Sequence, residues 1–312
     1  MNVQATPART PTAAAPAAGA AASLADRPFV RVAQPPWRQF LQRLARSRLA
    51  AVGGVIVGLV VLAGLGAGVL APYSPTQQDI RNILRPPAAG HLLGTDELGR
   101  DTLTRVLYGA QASLEVGIIA VGISLLVGSG LGLLAGYLRG LADASIMRVM
   151  DGLLALPTLV LALAITAMLG PSLNNAMLAI GVTGVPVFAR LVRGQVLSLR
   201  ELEYVQAARS LGAGDARIML GHILPNVLGP IVVQASLAMP TAILAEAGLS
   251  FLGLGIQPPT PSWGAMLNTA KGYLQQDPWL AVAPGTAIFV TVLGFNFLGD
   301  AVRDALDPRL RG

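Results

Sequence analysis

The chain has 312 residues, of which 53% are hydrophobic and only 12% are charged, and its mean hydropathy is +0.61. A soluble domain usually carries about 25% charged residues, so this composition argues against an ordinary soluble enzyme. The 22 basic residues exceed the 16 acidic ones without forming a dense tract, which favours a membrane protein over a nucleic-acid-binding one. The absence of cysteine excludes disulfides, thiolate metal sites and cysteine nucleophiles.

The N-terminal region divides into two parts. Residues 1–36 are rich in Ala, Pro and Thr and are predicted to form a disordered tail; a cleaved signal peptide is disfavoured because Pro16 and Gly19 interrupt its apolar run. Residues 37–50 are predicted to form a helix on the membrane surface, and a plain basic flank is the alternative. The apolar residues at helical spacing are Trp37, Phe40, Leu41 and Leu44.

Six apolar runs follow, each long enough to cross a hydrocarbon core, which takes roughly 20 residues of helix. They are predicted at about 51–71, 112–138, 144–170, 174–199, 227–255 and 280–300, within a transmembrane domain over residues 51–312. The third to fifth runs contain Pro157, Pro186 and Pro240, so they are predicted to be bent and packed against other helices. The predicted fold class is an all-α polytopic membrane protein with six transmembrane helices.

The distribution of Lys and Arg predicts the orientation of these spans. With the N-terminus inside, 17 of the 22 basic residues fall on the cytoplasmic side and 5 on the outer side. Basic residues are enriched in cytoplasmic loops, so both termini and the loop over residues 200–226 are predicted to be cytoplasmic.

Glycines recur at every fourth residue in two of the spans. Gly128, Gly132 and Gly136 do so in the second span, and Gly54 and Gly58 do so in the first. Bare backbone along one helix face predicts close contact with another helix. A nucleotide-binding loop is the disfavoured alternative, because the run follows no predicted strand and the chain has no Gly-Lys-Ser/Thr sequence.

The sequence contains no recognisable catalytic or metal-binding constellation, so neither enzymatic activity nor a cofactor is expected in this chain. His91 and His222 lie 131 positions apart and outside the apolar runs. Glu246 is the one acid well inside a predicted span, which makes it a candidate for the pore or its outer gate. A structural pairing with Arg100 or Arg105 near the outer surface is the alternative, and it is slightly favoured.

The 200–226 loop is a long polar connection between the fourth and fifth spans. Glu201 and Glu203 stand in the first turn of a predicted helix, and a second helix is predicted to begin near Asp215. Gly212 is predicted to end the first helix with a left-handed backbone conformation. The segment is therefore predicted to be a helix–turn–helix at the membrane surface.

The same loop carries a spaced motif made of Gln206-Ala207-Ala208, Gly212 and His222-Ile223-Leu224-Pro225. It resembles the signature of the permease subunits of ATP-binding-cassette importers, which reads Glu-Ala-Ala, three residues, Gly, nine residues and Ile-x-Leu-Pro. Two positions depart from that pattern, since Gln206 replaces the acid and His222 replaces the isoleucine.

Two flanking strings sharpen the resemblance. They are Leu-Gly-Thr-Asp-Glu-Leu-Gly-Arg-Asp at 93–101 and Glu-Ala-Gly-Leu-Ser-Phe-Leu-Gly-Leu-Gly at 246–255, the latter continuing to Pro-Pro-Thr-Pro-Ser-Trp-Gly at 258–264. Together they look like the second permease subunit of the dipeptide, oligopeptide and nickel importers, over roughly residues 40–310. Asp96, Arg100 and Asp101 are candidates to face a binding protein, and packing as a capped outer loop is the alternative.

The resemblance implies a type I importer permease fold, with a cytoplasmic helix pair that couples the chain to ATPases. It implies a pore formed with a homologous permease, two ATP-binding subunits that hold ATP and Mg, an extracytoplasmic solute-binding protein, and the bacterial inner membrane. The implied solutes are di- or oligopeptides, although glutathione and nickel systems share these motifs. A transporter driven by an ion gradient is the alternative, and it would be expected to show acids near the midplane. The implied coupling residues are Glu203, Gln206, Ala207, Ala208, Gly212, Asp215, Leu224 and Pro225.

Overall fold

The computed structural model describes residues 36–306, and this part of the chain consists of helices and their connecting loops. Except for Pro36, the predicted tail lies outside the described residues. A π-helical segment covers Met219–Ile223. The α-helices are α1 (Pro36–Arg46), α2 (Arg48–Leu65), α3 (Ala67–Leu70), α4 (Thr102–Leu138), α5 (Gly140–Leu154), α6 (Thr158–Leu169), α7 (Leu173–Leu199), α8 (Glu203–Ser210), α9 (Asp215–Ile218), α10 (Leu224–Phe251), α11 (Trp263–Ala270) and α12 (Trp279–Leu306).

The predicted spans are present as long apolar helices. Within residues 36–306, five helices are long and apolar enough to cross a membrane, and α5 with α6 forms a sixth candidate that is bent by 92°. The second span begins at Thr102 rather than near residue 112, because the Asp101 carboxylate accepts a hydrogen bond from the Thr104 amide at 2.8 Å and caps the helix there. The first turns of α4 lie before its apolar run.

The predicted surface helix over residues 37–50 is shorter than expected. It ends at Arg46, and a new helix, α2, begins at Arg48. The cause is Ser47, whose hydroxyl accepts a hydrogen bond from the Ala50 amide at 3.3 Å and caps α2. The last residues of the predicted surface helix therefore belong to the first span.

The third predicted span is broken into α5 and α6 at residues 155–157. Pro157 explains the break, since proline has no backbone N–H and disfavours helical geometry in the residue before it. Pro186 and Pro240, in contrast, lie inside the continuous helices α7 and α10.

The bent pair contacts α7 near both of its ends. Asp143 of α5 pairs with Arg193 at 2.5 and 2.7 Å, whereas the Leu169 carbonyl of α6 accepts from the Asn175 side chain at 3.0 Å. At 1.5 Å per residue, Arg193 and Asn175 are about 27 Å apart along α7. The pair therefore extends over most of the thickness of a hydrocarbon core, as one interrupted span does.

The glycine pattern is confirmed in α4, whereas in α2 a close helix contact at Gly54 and Gly58 stays a prediction. A Cβ atom at Gly128 would lie 2.6 Å from the Val185 carbonyl oxygen, and one at Gly136 would lie 2.8 Å from the Val196 Cβ, so α4 and α7 pack closely. Within the described residues, Gly54 and Gly58 have nothing within 4 Å of an added Cβ. Helix α2 instead meets α12 through Gly53, which leaves the Gly54 face uncovered.

Candidate functional site

The 200–226 loop is anchored to the helix bundle by apolar side chains. Val205 of α8, Ile218 of α9 and Ile223 of the π-helical segment are fully buried. They pack in one cluster with side chains near the ends of α4, α7 and α10, among them Leu133, Val192 and Ile231. Burial of this apolar surface holds the loop helices against three of the long helices at once.

The turn between α8 and α9 has the geometry predicted from the sequence. Gly212 adopts φ +81°, in the left-handed region that favours glycine. The Ala213 amide donates to the Ala208 carbonyl at 3.1 Å and the Gly212 amide donates to the Arg209 carbonyl at 3.0 Å. This pair of bonds is the Schellman arrangement that ends a helix, and α9 then begins at Asp215, as predicted.

Tyr137, near the end of α4, contacts the 200–226 loop, and the sequence reasoning missed this contact. Its hydroxyl donates to the Asp215 carboxylate at 2.5 Å and accepts from the Arg209 guanidinium at 3.3 Å. That second bond raises the pKa of Arg209. The Tyr137 carbonyl accepts a hydrogen bond from the Arg200 guanidinium at 2.6 Å. Tyr137 therefore contacts Arg200, just before α8, and Arg209, near the end of α8.

A second polar group joins α8 to the start of α10. The Asn226 amide donates to the His222 carbonyl at 2.7 Å and to the Tyr204 hydroxyl at 3.2 Å. His222 takes part through its main chain. Its departure from the expected isoleucine therefore leaves this contact intact.

The outer face of the loop is exposed and carries polar and small residues together with larger ones such as Leu202, Tyr204 and Leu220. Leu211, at its tip, is 87% exposed, an apolar group that the sequence reasoning did not single out. Among the predicted coupling residues, Ala208 and Leu224 are partly buried. The exposed ones are Glu203, Gln206, Ala207, Gly212, Asp215 and Pro225. Such a surface, with its helices held firmly from behind, is suited to contact with another protein.

The residues predicted to face a binding protein lie inside the loop over residues 71–101. Asp96 is 4% exposed and accepts hydrogen bonds from the Leu98 and Arg100 amides, both at 2.9 Å. Its carboxylate also pairs with the Arg100 Nε at 2.6 Å and lies 3.4 Å from the Arg105 Nε. Burial raises the pKa of the neighbouring Glu97 carboxyl, and the charge of Asp96 adds to that effect.

Asp101 is likewise occupied within the chain. Besides capping α4, it lies 2.9 Å from the His91 Nδ1, and the His91 ring packs against Tyr73 with centroids 4.9 Å apart. These contacts favour the capped-loop alternative for Asp96, Arg100 and Asp101. Contact of this segment with a binding protein stays a prediction.

Glu246 has different partners from those expected. It is fully buried, and its carboxylate accepts from the Ser250 hydroxyl at 2.7 Å and from the Ser113 hydroxyl of α4 at 3.2 Å. The expected pairing with Arg100 or Arg105 is wrong, because both guanidinium groups are directed to Asp96. A role of Glu246 in a pore or gate stays a prediction.

Comparison with known proteins decides the family. Residues 128–312 match the model of the binding-protein-dependent transport system inner membrane component. The chain belongs to this family. Residues 35–87 match the N-terminal transmembrane domain of oligopeptide transport permease C. The chain is therefore a membrane permease subunit of the ATP-binding-cassette importers, with the all-helical fold predicted from the sequence.

Similar permeases cover almost the whole chain. The dipeptide transport system permease protein DppC of Alkalihalophilus pseudofirmus is 48% identical over 88% of this chain and 91% of its own. The glutathione permease GsiD of Pectobacterium atrosepticum is 44% identical over 93% and 97%, and the di/tripeptide permease DppC of Pseudomonas aeruginosa is 46% identical over 88% and 93%. A chain of the MetNI methionine ABC transporter in inward-facing conformations shares the fold, with a TM-score of 0.53 and 19% identity over 64% of this chain and 96% of that one.

Proposed function

We propose that this permease forms half of the pore of an ATP-driven importer of di- or oligopeptides in a bacterial inner membrane. The observation that carries the proposal is the similarity, at 44% to 48% identity and over about nine-tenths of each chain, to permeases named for dipeptides, di/tripeptides and glutathione. All of these named solutes contain peptide-type amide bonds. Both termini and the 200–226 loop face the cytoplasm in this proposal, in agreement with the distribution of Lys and Arg.

The partners in this proposal are a homologous permease, two ATP-binding subunits that hold ATP and Mg²⁺, and a solute-binding protein on the outer side. The family description, a component of binding-protein-dependent systems, supports the last of these. In this proposal the second permease packs against the apolar face of α2 that the described chain leaves uncovered. An ATP-binding subunit contacts the exposed face of α8.

The contacts of the 200–226 loop suggest how it transmits a movement. A push on the exposed face of α8 reaches α4 through Tyr137, and it reaches α7 and α10 through the buried cluster around Val205. A rigid element bonded to three long helices moves them together, so closure of the ATP-binding subunits tilts the spans. The chemistry of ATP hydrolysis belongs to the partners.

Uptake by the reconstituted importer tests the proposal. Proteoliposomes holding both permeases and the ATP-binding subunits, with loaded binding protein outside, should accumulate radiolabelled Ala-Ala when ATP and Mg²⁺ are inside. Uptake should persist with an ionophore that collapses ion gradients. Uptake that requires an ion gradient and ignores ATP would overturn the proposal in favour of a secondary transporter.

A matched pair of glycine variants tests the coupling role of the loop. Gly212→Val places a β-branched residue at φ +81°, which costs roughly 1–2 kcal/mol locally. Gly214→Val makes the same change at φ −68°, and neither added Cβ meets an atom within 4 Å in the described structure. At equal abundance in the membrane, only Gly212→Val should lose transport and the stimulation of ATP hydrolysis by loaded binding protein. Transport and stimulated ATP hydrolysis in Gly212→Val as high as in Gly214→Val and the wild type would contradict a coupling role of the loop.

A further inference from the structure

A cavity of about 290 Å³ lies among α4, α5, α6, α7 and α10. Gln234 of α10 and Thr183 of α7 line it, each about 15 Å from the start of its helix at 1.5 Å per residue. Both residues therefore lie in the middle third of helices that are about 40 Å long. With α7 and α10 as membrane spans, the cavity therefore lies near the depth of the membrane midplane.

The cavity also reaches the surface of the described chain. Thr158, Val187 and Thr241 line it and are exposed. Its volume is close to the lower limit, about 300 Å³, of the volumes usual for small-molecule sites.

The polar groups of this cavity are all uncharged. No side chain that lines it in the part of the chain described by the structure is an acid or a base. The hydroxyls of Thr183 and Thr241 donate to the carbonyls of Ile180 and Ala238, at 2.8 and 2.7 Å. Their protons are thus used within the helices, and their oxygen lone pairs are left to accept hydrogen bonds from a ligand.

Gln234 supplies the complementary chemistry. Its side-chain amide makes no hydrogen bond to any residue in the described structure, although it is only partly exposed and lies at midplane depth. A carboxamide has two N–H donors and one carbonyl acceptor, as the paired donor and acceptor of a peptide bond require. The remaining lining is mostly apolar. A peptide amide that entered the cavity without a hydrogen-bonding group such as Gln234 would lose its bonds to water, which costs free energy.

We propose that this cavity is the part of the solute path that binds the main-chain amides of a peptide, with Gln234 as its principal hydrogen-bonding group. The inference rests on the proposed function and adds to it the chemical group that this chain recognises. A site without fixed charge binds what all short peptides share. It does not discriminate between acidic and basic side chains, and that selection is left to the binding protein.

Variants of Gln234 in the complete reconstituted importer test the site. The binding protein is saturated in turn with radiolabelled Ala-Ala, Ala-Lys and Ala-Glu, and solute uptake and ATP hydrolysis are measured together. Gln234→Leu should lower uptake per ATP about tenfold for all three dipeptides, the effect of losing one or two hydrogen bonds. Gln234→Asn keeps the amide and should restore most of the loss. Gln111→Leu removes an exposed amide of α4 that does not line the cavity, and it should behave like the wild type.

A charge placed at the same position gives a readout that a structural role would not produce. Gln234→Glu should lower the ratio of Ala-Glu to Ala-Lys uptake about fivefold or more, because a fixed carboxylate disfavours the acidic solute. Unchanged uptake in Gln234→Leu, or an unchanged ratio in Gln234→Glu, would overturn the inference. Loss of stimulation by loaded binding protein in Gln234→Leu would also overturn it, since Gln234 would then act in coupling. A wild-type importer that takes up none of the three dipeptides would instead refute the proposed function itself.

Discussion

The Glu246 carboxyl joins separate parts of the chain, and it has no basic partner among residues 36–306. One oxygen accepts from Ser113 of α4, the other accepts from Ser250 one turn further along α10, and the Ser250 oxygen in turn accepts from the Ile256 amide at 3.1 Å. A buried acid is costly unless its oxygens are hydrogen-bonded. Through these bonds the Glu246 side chain links α4 to the end of α10 and to the segment that follows it.

Replacement of Glu246 should destabilise the protein in proportion to the hydrogen bonds lost. Glu246→Leu leaves two buried hydroxyls without their acceptor, which we expect to cost about 1–3 kcal/mol in stability. Glu246→Gln keeps one carbonyl oxygen and should be affected less. The measurement is the temperature at which half of the purified complex aggregates, with the exposed α4 residue Glu115 replaced by Leu as the matched control. A Glu246→Leu protein as stable as that control would show that the serine contacts contribute nothing.

Local and long-range features of the 200–226 loop differ in how far the sequence predicts them. Gly212 was predictable because a helix stop depends on the few residues around it, and its φ of +81° agrees. Tyr137 was not, because its partners Arg209 and Asp215 are 72 and 78 positions away. The sequence around a single tyrosine near the end of an apolar run does not indicate which distant residues it contacts.

The pairing of α4 with α7 illustrates the same distinction for whole helices. Spacing of Gly128, Gly132 and Gly136 identifies a bare face, and that face does meet another helix. The same spacing at Gly54 and Gly58 identifies a bare face that the rest of the described chain leaves uncovered. Periodicity therefore locates a surface for close approach, but it does not say whether a helix of this chain or of a partner fills it.

Two alanine substitutions in α4 should separate packing from helix propensity. An added Cβ at Gly128 would lie 2.6 Å from the Val185 carbonyl oxygen, whereas one at Gly130 meets no described atom within 4 Å. We expect Gly128→Ala to lower stability by about 1–3 kcal/mol, because α7 must move away. Gly130→Ala should be neutral or stabilising by up to about 1 kcal/mol, since alanine favours helix over glycine. Thermal unfolding of the two purified variants is the measurement, and equal stabilities would contradict close packing of α4 on α7.

The direction of every later helix depends on whether α5 and α6 cross the membrane. If the bent pair is one span, the chain crosses six times and the 200–226 loop returns to the side of the N-terminus. If the pair enters and leaves on one side, the chain crosses five times and the loops after α7 and α10 exchange sides. Ion pairs of α5 with α7, between Asp143 and Arg193 and between Asp151 and Arg190 at 2.6 Å, together with the contact of α6 with the other end of α7, favour the crossing.

Single cysteines at Gln78, Ser210 and Gln275 distinguish these topologies, because all three residues are exposed and the chain has no cysteine of its own. With six spans and the N-terminus inside, an impermeant thiol reagent should label Gln78→Cys and Gln275→Cys in right-side-out vesicles, and Ser210→Cys only in inverted ones. The vesicles should lack the ATP-binding subunits, so that no partner covers Ser210. With five spans, Gln78→Cys would react as before, while Ser210→Cys and Gln275→Cys would exchange their labelling. That exchange would place the 200–226 loop outside, where no ATP-binding subunit could reach it, and it would contradict both the predicted orientation and the coupling role proposed for the loop.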